Sequence, residues 1–364
     1  MAHVQQKPEK TGDIAEAMLA HYERHARILP WRKRPGEGRP DPYHVWMSEI
    51  MLQQTTVAAV GRYFERFTHE WPDIASLAAA KDADVMAAWA GLGYYARARN
   101  LIACARTVVA EHGAILPATE EALLKLPSVG AYTAAAIAAI AFGERAVVVD
   151  ANIERVVSRL FAISTPLPAA KTEIRAAMDD ITPDQNVGDF AQAMMDLGAT
   201  ICTPKAPLCT SCPISGWCAA FKAGDQEAYP VKAAKKAQRQ RTGTTYWIER
   251  NGHVWLVRRA GSGMLAGMRA LPDDGWNARA SGDGTAPGRG QWQILSTKVS
   301  HVFTHFSLTL SIAVTAWPDG IEPQGDGEWW PVNSLDKAGL PTLFKKAVGA
   351  VRSAYSGGEL HAAA

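Results

Sequence analysis

The sequence predicts an all-α N-terminal domain followed by a smaller α+β domain, and three observations carry that expectation. Alanine, leucine and isoleucine recur at three- and four-residue spacing through the first two hundred residues, with Pro or Gly at the joins. A basic stretch poor in large apolar residues then interrupts the chain, and beyond it the apolar residues turn β-branched and aromatic. The length of 364 residues exceeds one core, while 48% apolar residues suffice to bury two. The expected boundaries are 11–221 for the helical domain, 222–243 for a linker and 244–355 for the second domain.

In chain order, helical spacing is clearest in Ala75–Ala90, Leu101–Ala110 and Thr133–Ala141, punctuated at Pro72, Gly91, Gly113, Pro127 and Gly143. The segment "VKAAKKAQRQRTG", just after Pro230, has the composition of a linker. Strands follow in "TTYWIER", "HVWLVRR" and "SLTLSIAVTAW", and "RNG" between the first two signals a tight hairpin. The Gly-rich "ASGDGTAPGRG" is expected as a surface loop, and the first and last ten residues as frayed ends. No internal repeat is visible. The N-terminal "MAHVQQKPEK" has no signal-peptide core, and the longest apolar stretch, Ala131–Phe142, is far short of a bilayer span. A soluble, cytoplasmic chain without disulfides is therefore expected. A net charge of +2 neither demands nor excludes a nucleic-acid partner, because a balanced total can hide a basic face.

Four of the five cysteines fall in "CTPKAPLCTSCPISGWC", as Cys202, Cys209, Cys212 and Cys218. Structural zinc prefers two C-x2-4-C knuckles separated by a longer span, and only one such pair exists here. Four thiolates this close, on a loop bent by Pro204, Pro207, Pro213 and Gly216, suit a compact [4Fe-4S] cluster better, with zinc as the alternative. Cys104 lies in an alanine-rich helix and reads as a buried apolar filler.

This cysteine spacing, just after a helical domain, resembles the iron-sulfur loop of the endonuclease III superfamily of DNA glycosylases. "LPSVGAYTAAAI", Leu126–Ile137, resembles that superfamily's helix-hairpin-helix, whose turn amides, here at Val129 and Gly130, face a DNA phosphate. About twenty residues on, "VVVDANIERV" supplies Asp150 where the superfamily has its catalytic aspartate. Asp before a helical pattern is also an ordinary N-cap. Both readings are compatible, since a carboxylate accepting backbone amides stays ionised. Asn152 is expected to hydrogen-bond beside it.

"PYHVWMSEIMLQQTTV", Pro42–Val57, resembles adenine DNA glycosylases, the MutY family, and the likeness extends over nearly the whole chain. The resemblance implies an N-terminal all-α helix-hairpin-helix glycosylase domain with a [4Fe-4S] loop and a C-terminal α+β Nudix-like domain. It also implies a substrate, double-stranded DNA with adenine mispaired with 8-oxoguanine or guanine, and a monomeric, nucleoid-associated enzyme. Glu49 is the expected proton donor: on a helix it shares a face with Val45 and Leu52, surroundings apolar enough to raise its pKa. Asp150 would stabilise the sugar cation or attack it, as in glycoside hydrolysis. Bifunctional relatives carry a lysine where this chain has Tyr132, so base removal without strand cleavage is implied. "GLGYYARARNL" resembles the family's segment that enters the duplex, making Leu92 and Tyr94 intercalation candidates beside Gln54, with Arg97 and Arg99 able to reach phosphates. "LPWR", near Leu29, would form part of the adenine pocket, and Lys205 would touch the backbone from the cysteine loop.

In the second domain, "WLVRRAGSGMLAGMRALP" resembles a family element, with departures at Ala260 and Arg269. No helical row of Nudix glutamates is present, so this domain is expected to bind and not to hydrolyse. "HVFTHFSL" resembles the loop that reads damaged guanine, which points to Phe303, Thr304 and His305; His301 reads as structural. An oxidised-pyrimidine glycosylase is disfavoured by Tyr132, Glu49 and the second domain. A non-catalytic mismatch binder would leave one carboxylate idle.

Overall fold

The computed structural model describes residues 11–233, 238–259, 265–303 and 306–355. The chain forms two compact units: one runs through Ala88 and resumes at Arg97, and the other takes Trp89–Ala96 and the chain beyond the basic segment.

The first unit is built from α1 (Thr11–His25), α2 (Pro42–Leu52), α3 (Val57–Glu70), α4 (Ile74–Ala79), α5 (Asp82–Ala88), α6 (Ala96–His112), α7 (Glu120–Leu123), α8 (Ala131–Ile137), α9 (Ala151–Leu160), α10 (Lys171–Ile181), α11 (Val187–Thr200) and α12 (Ala219–Ala223). Local chemistry sets the boundaries. Asp41 caps α2, its carboxylate accepting from Tyr43 N at 2.7 Å, and Pro42 at the first turn gives up no helical hydrogen bond. Asp73 and Ser76 form a reciprocal capping box on α4. The alanine-rich run expected at 75–90 breaks at Ala80, whose ψ of 149° is extended, so it yields two helices. After α8 the chain widens into a π-helical turn, Ala138–Phe142, and ends on Gly143 at φ +71°. There α11 passes so close that a Cβ on Gly188 would lie 2.6 Å from the Ala139 oxygen. Trp46, Phe67 and Phe190 are fully buried in the core of this unit.

In the second unit, β1 (Arg239–Arg250) and β2 (His253–Arg258) make a hairpin, followed by β3 (Arg269–Ala270), β4 (Gln293–Ile294), β5 (Val299–Val302), β6 (Phe306–Ala316), β7 (Gly327–Pro331) and α13 (Thr342–Ala354). The "NG" of the hairpin places Asn251 at φ +48° and Gly252 at +68°, the two positive values a type I′ turn requires. β1 runs parallel to β6 from Arg239 opposite Phe306 to Glu249 opposite Ala316. β2 pairs with β7 and β3, while β4 and β5 line the far side of β6. One sheet face buries Trp247, Leu256, Leu308 and Leu310 against Phe344 and Ala347 of α13. On the other face Trp292 and Trp329 pack over Tyr246, Trp255 and Trp317. Residues 280–290 carry neither helix nor strand.

The segment read as a linker, 222–243, is structured at both ends. Lys222 and Ala223 finish α12, and "RQRTG" begins β1, because its backbone groups find a ladder partner in β6 whatever its side chains. No helix among the described residues is long and apolar enough to cross a membrane.

Candidate active site

Three elements of the helical unit converge on a cavity of ≈ 850 Å³. α2 brings Glu49, only 6% exposed, α8 brings Tyr132, and the residue before α9 is Asp150. Trp31, Arg32, Leu52 and Asn152 line the same cavity. Burial pushes the Glu49 carboxyl up to about 7; the Tyr132 hydroxyl, hydrogen-bonded to it, pulls the other way, Asp150 adds to the rise and Arg32 opposes it. Burial, then Glu49 and Asp150, hold the Tyr132 phenol well above its ordinary value, so it stays protonated and donates to Glu49.

Asp150 is both helix cap and pocket carboxylate. Its Oδ1 accepts from Ile153 N at 2.7 Å and its Oδ2 from Asn152 Nδ2 at 2.9 Å. These bonds were expected to hold its pKa down. Instead burial outweighs the Ile153 amide and the Asn152 donors and raises the carboxyl from its ordinary value. Asp150 keeps donors from Ile153 and Asn152, whereas Glu49 has one from Tyr132, so the two carboxyls sit in unlike settings.

A buttress that the sequence reading missed stands behind this pair. Arg155 donates to Asn152 Oδ1 at 3.0 Å, to Gly198 O at 2.6 Å and to Cys202 O at 2.7 Å. Gly198 lets α11 approach this closely, since a Cβ there would lie 2.6 Å from Asn152 Cβ. Arg159, 2% exposed, donates to the carbonyls of Thr203, Pro204, Gln226 and Tyr229 and to Cys202 Sγ at 3.3 Å. Arginines at i+5 and i+9 from Asp150 were visible in "DANIERVVSRL", but nothing in the spacing tells a buried clamp from a solvated face. Across the cavity, Asp196 accepts from Arg32 Nη1 at 2.8 and 2.9 Å and from Arg27 Nε at 2.6 Å, fixing the "LPWR" wall.

Cys202, Cys209, Cys212 and Cys218 are free thiols lining one small cavity with Arg159 and Phe221. Each of the other three raises the pKa of Cys212, after burial, which places the four sulfurs within electrostatic reach of one another. Among the described residues no group of three or more His, Cys, Asp or Glu is placed to hold a metal ion. The donor set, four sulfurs around a shared void with a guanidinium donating to one of them, is of the kind that holds either an iron-sulfur cluster or zinc.

The remaining candidates divide. Gln54 is exposed at φ +57° and Tyr94 is 54% exposed at φ +48°. Leu92, expected beside Tyr94, is buried in the chain without DNA. In the hairpin, Val129 is buried and its N–H closes the turn on Leu126 O at 3.2 Å, leaving Gly130 exposed. Lys205 is exposed, with its carbonyl fixed by Thr203 Oγ1 at 2.9 Å. Arg97 does not reach for phosphates: it is buried and donates to Ile50 O and Met51 O. The Phe303 ring stacks on Phe306 and packs against the sheet core. Thr304 and His305 lie outside the described residues. Cys104 is fully buried, and burial pushes its thiol up to about 12, as suits an inert filler.

The helical unit and its two-carboxylate cavity define a base-excision protein: residues 47–183 match the model of the HhH-GPD superfamily of base excision DNA repair proteins, and residues 244–350 match the NUDIX domain. The helical fold is similar to that of a thermostable thymine-DNA glycosylase, at 29% identity and a TM-score of 0.54, covering 59% of this chain and 98% of that one. Over 335 residues the chain is 36% identical to the adenine DNA glycosylase of Buchnera aphidicola subsp. Schizaphis graminum, covering 87% of this chain and 92% of the relative. The human adenine DNA glycosylase is 36% identical over 322 residues, or 72% of this chain, and the match spans 59% of the human protein's length. The chain belongs to the adenine DNA glycosylase family.

Proposed function

We propose that this protein removes adenine mispaired with 8-oxoguanine or guanine in double-stranded DNA by hydrolysing its N-glycosidic bond. The observation that carries the reading is the pair of unlike carboxyls in one cavity, Glu49 poised near neutral pH and Asp150 held by the Ile153 amide and Asn152. Adenine is a poor leaving group until a ring nitrogen is protonated, and its departure leaves an oxocarbenium-like sugar. Glu49 gives the proton. Asp150 faces the cation, as stabiliser or transient nucleophile, and water completes the hydrolysis. Tyr132 orients Glu49 and, having no amine, forms no imine with the sugar, so the strand stays intact with an abasic site.

Gln54 and Tyr94 fill the gap left by the extruded adenine. Gly130 and Lys205 meet the backbone. The second unit supplies recognition of 8-oxoguanine through Phe303, Thr304 and His305. Cys202, Cys209, Cys212 and Cys218 hold a [4Fe-4S] cluster that, when bound, pins the cysteine loop against Arg155 and Arg159. Metal analysis of purified protein should give about four irons and four acid-labile sulfides per chain, whereas one zinc overturns that assignment. We assign a monomer acting in the cytoplasm on nucleoid DNA. The function is tested with labelled duplexes carrying A:8-oxoG, A:G and A:T: an alkali-labile site on the adenine strand of the first two supports it, and cleavage at oxidised pyrimidines instead overturns it.

A further inference from the structure

We infer that Arg97 is the positioning residue of the turn that carries Gln54, an inference that rests on the reading of Gln54 as the wedge. The turn between α2 and α3 must do two things at once: continue from the helix bearing Glu49, and hold Gln54 in a left-handed conformation, φ +57°, that a non-glycine residue adopts only under strain. Arg97 supplies the constraint. Its Nη1 donates to Met51 O at 2.7 Å and to Ile50 O at 3.1 Å, satisfying carbonyls at the C-terminal end of α2, whose last turn has no basic residue of its own. Its Nη2 donates to Thr55 Oγ1 at 3.0 Å. Thr55 in turn donates its hydroxyl to Gln53 O at 3.3 Å and its N–H to Leu52 O at 3.2 Å. One planar guanidinium therefore spans both sides of Gln54, and at 8% exposure it does so largely out of water, where each bond is stronger.

The same geometry fixes the spacing between wedge and acid, because Ile50 and Met51 directly follow Glu49. A shift of the turn moves Gln54 relative to the proton donor even if α2 itself stays folded. Lysine is a poor substitute: its ammonium is a point donor that cannot span Met51 and Thr55 together.

Two variants separate positioning from bulk stability. Thr55→Val removes the outer bond of Arg97, together with the hydroxyl's own bond to Gln53 O, and leaves the inner bonds to Ile50 O and Met51 O in place, whereas Arg97→Lys keeps the charge and the Thr55 hydroxyl but not the fork. Amide hydrogen exchange of the free protein reads the turn directly: residues 53–56 should exchange at least fivefold faster in both variants, with the protection of α11 unchanged. With DNA, 2-aminopurine placed opposite 8-oxoguanine reads extrusion, and both variants should show a reduced flipped-base signal and a single-turnover rate lowered three- to tenfold at saturating enzyme. Exchange and extrusion at wild-type levels in Thr55→Val overturn the inference, as does a loss of protection spread evenly over the helical unit. Wild-type protein without activity on A:8-oxoG counts against the proposed function, while the exchange result still decides what Arg97 does to the turn.

Discussion

Replacing Glu49 by Gln tests the site twice, because activity and stability should move in opposite directions. The amide keeps the size of the side chain and an acceptor for Tyr132 but has no proton to give. Proton donation is worth about 10²- to 10⁴-fold, and a leaving group as poor as adenine places the loss toward the upper end. Stability follows from the raised carboxyl pKa. In the unfolded chain Glu49 ionises near 4.5 and in the folded protein at about 7, so the cost of burying its charge is absent below pH 4.5, grows between 4.5 and 7, and is fully present above 7. At about 1.4 kcal/mol per unit, that cost is roughly 3 kcal/mol above pH 7. Glu49→Gln should therefore be more stable than wild type by up to that amount at pH 8, and no more stable at pH 4.5. Urea unfolding at the two pH values, with single-turnover excision under excess enzyme at pH 7, measures both. A variant that excises within about threefold of wild type, or gains nothing at pH 8, refutes the assignment of Glu49 as a buried proton donor.

Tyr132→Phe removes the hydrogen bond that lowers the Glu49 pKa, so the alkaline limb of the pH–rate profile, near 7 in wild type, should move to higher pH; a limb that stays or moves lower contradicts the contact. Gly198→Ala forces α11 away from Asn152, which should cost about 1–3 kcal/mol in urea unfolding and slow excision more than tenfold; wild-type behaviour in both shows that the close approach is not needed. Lys205→Ala should weaken binding to every duplex alike and reduce the slope of log K against log salt by about one, and an unchanged slope removes Lys205 from the backbone contacts.

What the sequence made legible came from local physics for the fold and from motif resemblance for the site. Glu49 was recognisable through the resemblance of "PYHVWMSEIMLQQTTV" to adenine DNA glycosylases, and its helical face with Val45, 2% exposed in the folded chain, accounted only for an apolar setting. Asp150 was readable as a cap from its position before α9, and as the site carboxylate through the superfamily resemblance. The β1–β2 hairpin announced itself through Asn251 and Gly252. What stayed hidden depends on tertiary partners. Arg97 and Arg99 look alike in "ARARN", yet Arg97 turns inward because α2 presents bare carbonyls to it. Leu92 and Tyr94 look equally insertable, and packing buries one and exposes the other. Strands β3 and β4, two residues each, carry no period to detect, and "RQRTG" becomes strand only because β6 lies beside it.

The most direct test of the account is a single-turnover time course with excess enzyme on a duplex holding one adenine opposite 8-oxoguanine, with the adenine strand labelled. One portion is quenched without alkali, one with alkali and one with borohydride. The account predicts strand scission only after alkali, no borohydride-trapped adduct, and a rate that falls as pH rises through about 7. Scission without alkali together with a trapped covalent complex would contradict it, because it would mean that an amine, and not the Glu49–Asp150 pair, performs the chemistry.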